Sequence, residues 1–171
     1  GCTDGTVSLV LAADSVTGAT LGPSAPASAA SISLDRRNPT FTVTAPATPT
    51  NQASIPVVVK ADEPVTGLTT ASFEVAGAGC RVDSVVASGT TFTVSVGSCQ
   101  HGTQVALTLK ALSATDSGGN SGPLAPVASS PVSVDLEVPT PTTLVTNPNT
   151  RSGLIGYDFT LNEPATGFTD S

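Results

Sequence analysis

The chain has 171 residues, a formal net charge of −7, 11% charged residues and 4% aromatic residues. Its six basic residues are scattered, so no basic patch is expected to neutralise phosphates, and nucleic acid is not an expected partner. The apolar runs are too short to span a bilayer, so no membrane insertion is expected in this segment. The chain lacks Met and opens on Gly1-Cys2, which predicts a piece of a longer polypeptide.

The first 35 residues contain two patterns that return later in the chain. VSLVL at 7–11 matches VALTL at 105–109, at an offset of 98 residues. GPSAPASAASISLD at 22–35 matches GPLAPVASSPVSVD at 122–135, at an offset of 100 residues. Self-similarity at a fixed period is typical of tandem repeats. We therefore predict that residues 1–35 are the C-terminal part of a truncated repeat.

Residues 36–136 are predicted to form one complete domain, since a unit of about 100 residues can bury its own core. TFTVT at 40–44 predicts the first strand. The next strand alternates with period two, which predicts one buried face, and its inward residues are Ile55, Val57, Val59 and Ala61. Pro56 removes a backbone donor, so this strand is predicted to lie at a sheet edge or to start near Pro56.

The stretch CRVDSVVASGTTFTVSVGSC at 80–99 predicts a β-hairpin with its loop around Gly89. Regular antiparallel pairing predicts these inward pairs: Val82 opposite Val96, Ser84 opposite Val94, and Val86 opposite Phe92. Other strands are predicted at Phe73 and Val75, at 105–111, and at Val132 and Val134.

The third segment, 137–171, is predicted to be the N-terminal part of another truncated repeat. DEPVTGLT at 62–69 returns as NEPATGFT at 162–169, which is 100 residues later. The alternating strand also returns, as Ile155, Tyr157, Phe159 and Leu161.

Turns and connectors can also be predicted from these strings. Each Glu-Pro pair is expected to end a strand, with Gly67 and Gly167 supplying a positive φ. The connectors DRRNPT at 35–40 and DLEVPT at 135–140 are short and contain Pro, so they are expected to be stiff. The apolar stripes of the two end segments lack a full partner sheet, so we expect them to pack poorly, or to pair with each other or between molecules.

About seven short strands in about 100 residues, with turn signals between them, are typical of a β-sandwich. Three motifs add a family resemblance. They are Glu63, Pro64, Thr66, Gly67 and Thr69; SGTTFTV at 88–94; and Ala114, Thr115, Asp116, Gly119 and Asn120. Together they resemble the bacterial Ig-like repeats of large surface proteins. This resemblance implies an all-β, immunoglobulin-like β-sandwich of about seven antiparallel strands, in tandem, with partial repeats at both ends.

Cys80 and Cys99 lie at the open end of the predicted hairpin, so we expect a disulfide between them. Regular pairing would place Ser98 opposite Cys80, and a bulge at Gly97 would then be needed. The alternative is two free thiols, with Cys99 facing outward. Cys2 is the copy of Cys99, and neither a CxxC motif nor a Cys/His cluster indicates zinc. A recurring disulfide indicates an oxidising compartment.

Acidic residues near the repeat junctions are candidates for binding Ca²⁺, because hard oxygen ligands suit this ion. The candidates are Asp62, Glu63, Asp116, Asp135 and Glu137. The resemblance permits such a site, since some Ig-like and cadherin-like chains hold calcium at their junctions. The alternative is that Asp116 and Asn120 shape a turn and that the other acids are solvated surface residues. No other cofactor is expected.

His101 is the only histidine, and we expect it to be an exposed loop residue. The first segment has Asp4 at the equivalent position, and no convergent Ser, His and acid arrangement is recognisable. We therefore expect no catalytic residues and no enzyme activity.

These observations favour a structural spacer in a secreted or cell-surface bacterial protein, such as an adhesin-like stalk; a periplasmic location is also compatible. The expected partners are neighbouring Ig-like repeats and a host, matrix or glycan surface. The alternative is an accessory carbohydrate- or protein-binding module of a secreted multidomain enzyme.

Overall fold

The structure, a computed structural model, describes residues 3–20, 22–146 and 157–167. Within these ranges there is no α-helix, and all paired strands are antiparallel. The prediction of an all-β chain is confirmed. The described residues contain no helical segment that could span a lipid bilayer.

Short strands run through all three segments. The first segment contains β1 (Gly5–Val7), β2 (Val10–Leu11), β3 (Thr17–Gly18), β4 (Gly22–Pro23), β5 (Ala27–Ser28) and β6 (Ile32–Leu34). The middle segment contains β7 (Phe41–Thr44), β8 (Ser54–Ala61), β9 (Val65–Thr66), a 3₁₀ turn (Thr70–Ser72), β10 (Phe73–Ala76), β11 (Arg81–Ser88), β12 (Thr91–Gly97), β13 (Gln104–Leu109), β14 (Ala114–Asp116), β15 (Ser121–Gly122), β16 (Val127–Ala128) and β17 (Val132–Ser133). The third segment contains β18 (Pro141–Thr146) and β19 (Tyr157–Leu161).

Two larger sheets of the middle segment share one hydrophobic core. One sheet has the strand order β11-β12-β8-β7, and the other has the order β10-β13-β16, with β17 also paired to β13. A small third sheet has the order β15-β14-β9. Buried side chains of β8, β12 and β13 belong to the same cluster. Two antiparallel sheets contributing to one core are consistent with a β-sandwich.

The alternation predicted for β8 is confirmed. Its inward residues Ile55, Val57, Val59 and Ala61 are no more than 2% exposed. Of the two alternatives predicted from Pro56, a strand that starts nearby is confirmed, because β8 begins at Ser54, whereas an edge strand is wrong, because β8 lies between β12 and β7. However, the pairing with β7 ends at Val58. Pro56 therefore lies where β8 has a neighbour on one side only, and its missing N–H is tolerated there.

The hairpin register differs from the predicted one. Val82 pairs with Val96 as expected, but the register shifts between Val82 and Ser84. The extra residue, Asp83, is a β-bulge, which turns the following side chains to the opposite faces. Ser84 therefore pairs with Ser95, and Val86 with Thr93 instead of Phe92.

The bulge also reverses which of two neighbouring valines faces the core. Val85 pairs with Val94 and packs against the core, whereas Val86 is 62% exposed. The side chain of the bulged Asp83 lies against Gly97, where an added Cβ would collide with the Asp83 carboxylate. The predicted bulge at Gly97 is thus on the wrong strand: Gly97 makes room for a bulge at Asp83.

Cys80 and Cys99 form a disulfide, with their Cα atoms 4.2 Å apart. The bridge lies just beyond the pair formed by Arg81 and Gly97, at the open end of the hairpin. Ser98 has a φ of +59°, so the chain turns immediately before Cys99. The predicted bulge at Gly97 is absent. The chain has a bulge at Asp83 and a turn at Ser98 instead.

The pairings in the first segment have counterparts in the middle segment. Val7 pairs with Ile32, and Val105 pairs with Val132. In the same way, Leu11 pairs with Ala27, as Leu109 pairs with Val127. Each partner lies at the offset found in the sequence, 98 residues for the first strand and 100 for the second.

The disulfide gives a testable prediction. The double variant Cys80→Ala/Cys99→Ala is expected to lose about 3 kcal/mol of unfolding free energy, because the unfolded chain regains the freedom of a loop of about 20 residues. Urea unfolding with and without reductant measures this loss. Reductant should weaken the wild-type chain and leave the double variant unchanged. A reductant-insensitive wild-type midpoint would contradict the prediction.

Candidate functional site

The first connector is held against the middle segment by its own residues. Pro39 is buried and packs against Gly122, where any Cβ would collide with the Pro39 carbonyl oxygen. The side-chain amide of Asn38 donates to the carbonyl oxygen of Ser121 at 2.7 Å. Glycine at 122 is therefore required by close backbone approach, and the connector is fixed to β15.

The entry to β7 is closed by a reciprocal pair of hydrogen bonds. The N–H of Thr40 donates to Oδ1 of Asp62 at 2.8 Å, and the N–H of Asp62 donates to the carbonyl oxygen of Thr40 at 3.1 Å. The hydrogen bond from the Thr40 backbone lowers the pKa of Asp62. Arg37 adds a weaker contribution in the same direction, with its guanidinium 3.5 Å from Asp62.

The loop after β14 is organised by Asp116 and Asn120. Oδ1 of Asp116 accepts the N–H of Asn120 at 2.8 Å, and Oδ2 accepts its side-chain amide at 2.9 Å. The same amide lies 3.3 Å from the carbonyl oxygen of Asp35. The turn-shaping role of Asp116 and Asn120, one of the two readings of the sequence, is present, and it also ties the loop to the connector.

Three carboxylates meet beside this loop. Asp35, Glu63 and Asp116 each place one oxygen so that all three oxygens lie within 4.8 Å of one another. Asp116 is 7% exposed, while Asp35 and Glu63 are half-buried. We call these three residues the acidic cluster. Arg37 and Asp62 border it, in a small pocket of about 160 Å³ that Asp35 and Glu63 also line.

Two members of the acidic cluster have pKa values shifted in opposite directions. Desolvation raises the pKa of Glu63, and repulsion from Asp116 and Asp35 adds to this increase. Hydrogen bonds, chiefly from the Asn120 side chain, lower the pKa of Asp116 in spite of its burial. Glu63 therefore takes up a proton more readily than Asp116 does.

The five predicted calcium ligands do not gather in one place. Glu63 and Asp116 join the acidic cluster, and Asp62 borders it. Asp135 and Glu137 lie instead on the second connector beside His101. The candidates therefore lie in two separate places, because residues 35–40 and 135–140 are two different connectors. Asp35 is absent from the predicted ligands, although its place as the first residue of the first connector is a signal that the sequence offers.

His101 has a defined role on the second connector. Its Nδ1 accepts the N–H of Leu136 at 3.1 Å and lies 3.4 Å from Oδ1 of Asp135. Its Nε2 lies 3.8 Å from Oε2 of Glu137. The side chain is 44% exposed, as expected of a loop residue, but it is also bonded to the connector that follows the middle segment.

The second connector repeats the hydrogen-bond geometry of the first. The N–H of Thr140 donates to Oδ1 of Asn162 at 2.8 Å, and the N–H of Asn162 donates to the carbonyl oxygen of Thr140 at 3.1 Å. Gly67 and Gly167 have φ values of +96° and +90°, so the positive φ predicted for both Glu-Pro turns is confirmed. Predicted strand residue Ile155 lies outside the described residues.

Comparison of the chain with family models, curated proteins and solved structures gave no match. The resemblance to bacterial Ig-like repeats therefore rests on the motifs in the sequence and stays a prediction.

The raised pKa of Glu63 predicts a pH-dependent stability. Folding favours the protonated form of this group, so its stabilising contribution is complete below the ordinary Glu pKa of 4.5 and is lost as pH rises through the higher pKa of the folded state. We expect Glu63→Gln to stabilise the chain relative to wild type at neutral pH, and the advantage to disappear in acid. Urea unfolding as a function of pH measures this, with Glu74→Gln as the control. A neutral or destabilising effect of Glu63→Gln at pH 7 would refute it.

Calcium binding stays a prediction as well. A cation bound by the acidic cluster would offset the repulsion on Glu63, so added Ca²⁺ would raise the melting temperature of the wild type but not of Glu63→Gln. Calorimetric titration and thermal melting test this directly. Absence of both heat and a melting shift would remove the hypothesis and leave Arg37 as a cationic side chain that borders these carboxylates.

Proposed function

We propose that this chain is part of a tandem array of Ig-like β-sandwiches and acts as a non-catalytic spacer in a secreted or cell-surface bacterial protein. In this role each sandwich buries its own core, and the connectors limit how far neighbouring units bend. The array would hold a functional tip away from the cell, or would itself present a weakly adhesive surface, as in adhesin-like stalks.

The observation that carries this proposal is the recurrence of one set of backbone contacts at the repeat offset. The reciprocal bonds of Thr40 with Asp62 return for Thr140 with Asn162. The strand register of the first segment likewise matches that of the middle segment. Equivalent geometry at equivalent positions supports a repeated structural unit of about 100 residues.

The docked connectors supply the mechanical part of the proposal. A flexible linker leaves its backbone to water, whereas here connector residues bond to the folded unit. Asn38 and Pro39 are fixed to β15, and the N–H of Leu136 is bonded to His101. A connector held in this way has fewer accessible conformations than a free linker of the same length.

The composition and the disulfide support an extracellular setting. The Cys80–Cys99 bridge is compatible with an oxidising compartment. The outward residues of β8 include Lys60 and the exposed side chain of Val58, without an aromatic residue. Only 4% of the chain is aromatic, and sugar-binding platforms depend on stacking against aromatic rings.

A glycan array with the full chain tests the proposal against the accessory-module alternative. We expect no specific glycan binding, because the described surface offers few aromatic rings for stacking. The positive control is a sugar-binding protein on the same array. Specific binding at micromolar concentration would favour the accessory module and would overturn the spacer.

A further inference from the structure

The two connectors make the same side-chain contact with opposite polarity. In the first connector the guanidinium of Arg37 lies 3.5 Å from Oδ2 of Asp62, so residue 37 supplies the donor and residue 62 the acceptor. In the second connector the side-chain amide of Asn162 donates to Oε2 of Glu137 at 3.5 Å, so the two roles are exchanged. The positions are equivalent, because 137 and 162 lie 100 residues after 37 and 62.

The side chain at 62 or 162 has two ends that face different partners. Its Oδ1 accepts the N–H of Thr40 in the first connector and of Thr140 in the second. This bond determines which way the other end of the side chain points. That other end is an acceptor oxygen in Asp62 and a donor nitrogen in Asn162.

Each of these two ends suits only the connector residue that it meets. The amide of Asn162 also donates to the carbonyl oxygen of Val138 at 3.5 Å. An aspartate at 162 would therefore place a carboxylate oxygen against two other acceptors, those of Glu137 and Val138. The carboxylate of Asp62 instead meets the donor groups of Arg37.

A third position changes its polarity together with these two. Nε2 of His101 lies 3.8 Å from the same Oε2 of Glu137 that accepts the Asn162 amide. Glu137 thus contacts both the loop between β12 and β13 and the third segment. In the first segment the equivalent of His101 is Asp4, an acid, and it belongs with Arg37, a base, in place of Glu137.

We propose that the residue at 37 or 137 is a clasp that holds its connector to the unit that follows, and that its partner at 62 or 162 is matched to it in polarity. We call Arg37 with Asp62 the first clasp, and Glu137 with Asn162 the second clasp. This inference rests on the proposed spacer function and names the side chains that set the stiffness of its junctions. A connector held by its clasp leaves neighbouring units fewer relative orientations.

Amide hydrogen exchange of Thr40, in the full chain, tests the first clasp. This N–H donates to Asp62, and none of the residues to be substituted is its neighbour in sequence, so its exchange rate reports on local opening of the connector. We expect Arg37→Glu to accelerate the exchange about two- to fivefold, because two carboxylates then face each other. We expect a similar increase for Asp62→Asn, because either orientation of the amide places its NH₂ group against a donor, the Arg37 guanidinium or the Thr40 N–H.

The double variant Arg37→Glu/Asp62→Asn is the decisive measurement. It copies the polarity of the second clasp, so exchange of the Thr40 amide should return to the wild-type rate. Arg36→Glu is the matched control, because it makes the same change of charge one residue earlier, and it should leave the rate close to that of wild type. The amide of Val59, in the buried core, is followed in every variant and should stay protected, which shows that the fold is retained.

A second control separates matched polarity from a general relief of repulsion between acids. Glu63→Gln removes one negative charge from the same acidic neighbourhood. It should not accelerate exchange of Thr40, and Arg37→Glu/Glu63→Gln should remain as fast as Arg37→Glu. General relief would instead make Asp62→Asn slow the exchange, which is the opposite of the expected sign.

The second clasp is tested in the reverse direction with the amide of Thr140, which donates to Asn162. Glu137→Arg and Asn162→Asp should each accelerate its exchange. The double variant Glu137→Arg/Asn162→Asp should restore the wild-type rate, because it copies the polarity of the first clasp.

Three results would overturn the proposal: single variants that exchange at the wild-type rate, double variants no slower than their single variants, or an Arg36→Glu effect equal to that of Arg37→Glu. These outcomes are independent of the spacer test. Loss of the coupling in a chain that lacks glycan binding would remove the clasps and leave the spacer standing. Specific glycan binding by a chain that shows the coupling would remove the spacer and leave the clasps.

Discussion

The contact between β8 and β12 on one side and β13 on the other is the constraint on which the structure depends. Val59, Val94 and Leu107 are 0% exposed and lie in one cluster. Burying a side chain of this size contributes about 1.5–3 kcal/mol, and the alternating pattern brings several such residues to the same layer. The disulfide, the docked connectors and the acidic cluster all lie at the ends of strands that this core holds in place.

The packed core also holds the three carboxylates of the acidic cluster close together. Asp35, Glu63 and Asp116 come from a connector, a turn after β8 and the end of β14. In an unfolded chain these carboxylates would separate, because they repel one another. The fold brings them together. Hydrogen bonds from Asn120 stabilise the charged form of Asp116, whereas desolvation and repulsion from the neighbouring carboxylates disfavour the charged form of Glu63.

Those parts of the candidate site that depend on interactions between residues close in sequence could be predicted from the sequence. Asp116 and Asn120 are four residues apart, so their turn could be predicted from residue types alone. The positive φ of Gly67 follows from the same kind of argument. The membership of Asp35 could not be predicted in this way, because its bond with Asn120 joins residues 85 positions apart. Nor does the sequence indicate that the second connector would be bonded to His101.

The sequence by itself determined the all-β class, the inward stripe of β8 and the offset that relates the three segments. Period two is a property of neighbouring residues, and self-similarity is a property of the residue order, so neither requires a tertiary contact to be recognised. Only the tertiary structure decided which of Val85 and Val86 faces the core, because the two side chains are identical and the choice follows from a bulge at Asp83 that fits over Gly97. It also decided which acids meet, since those distances are fixed by strand packing and not by spacing along the chain.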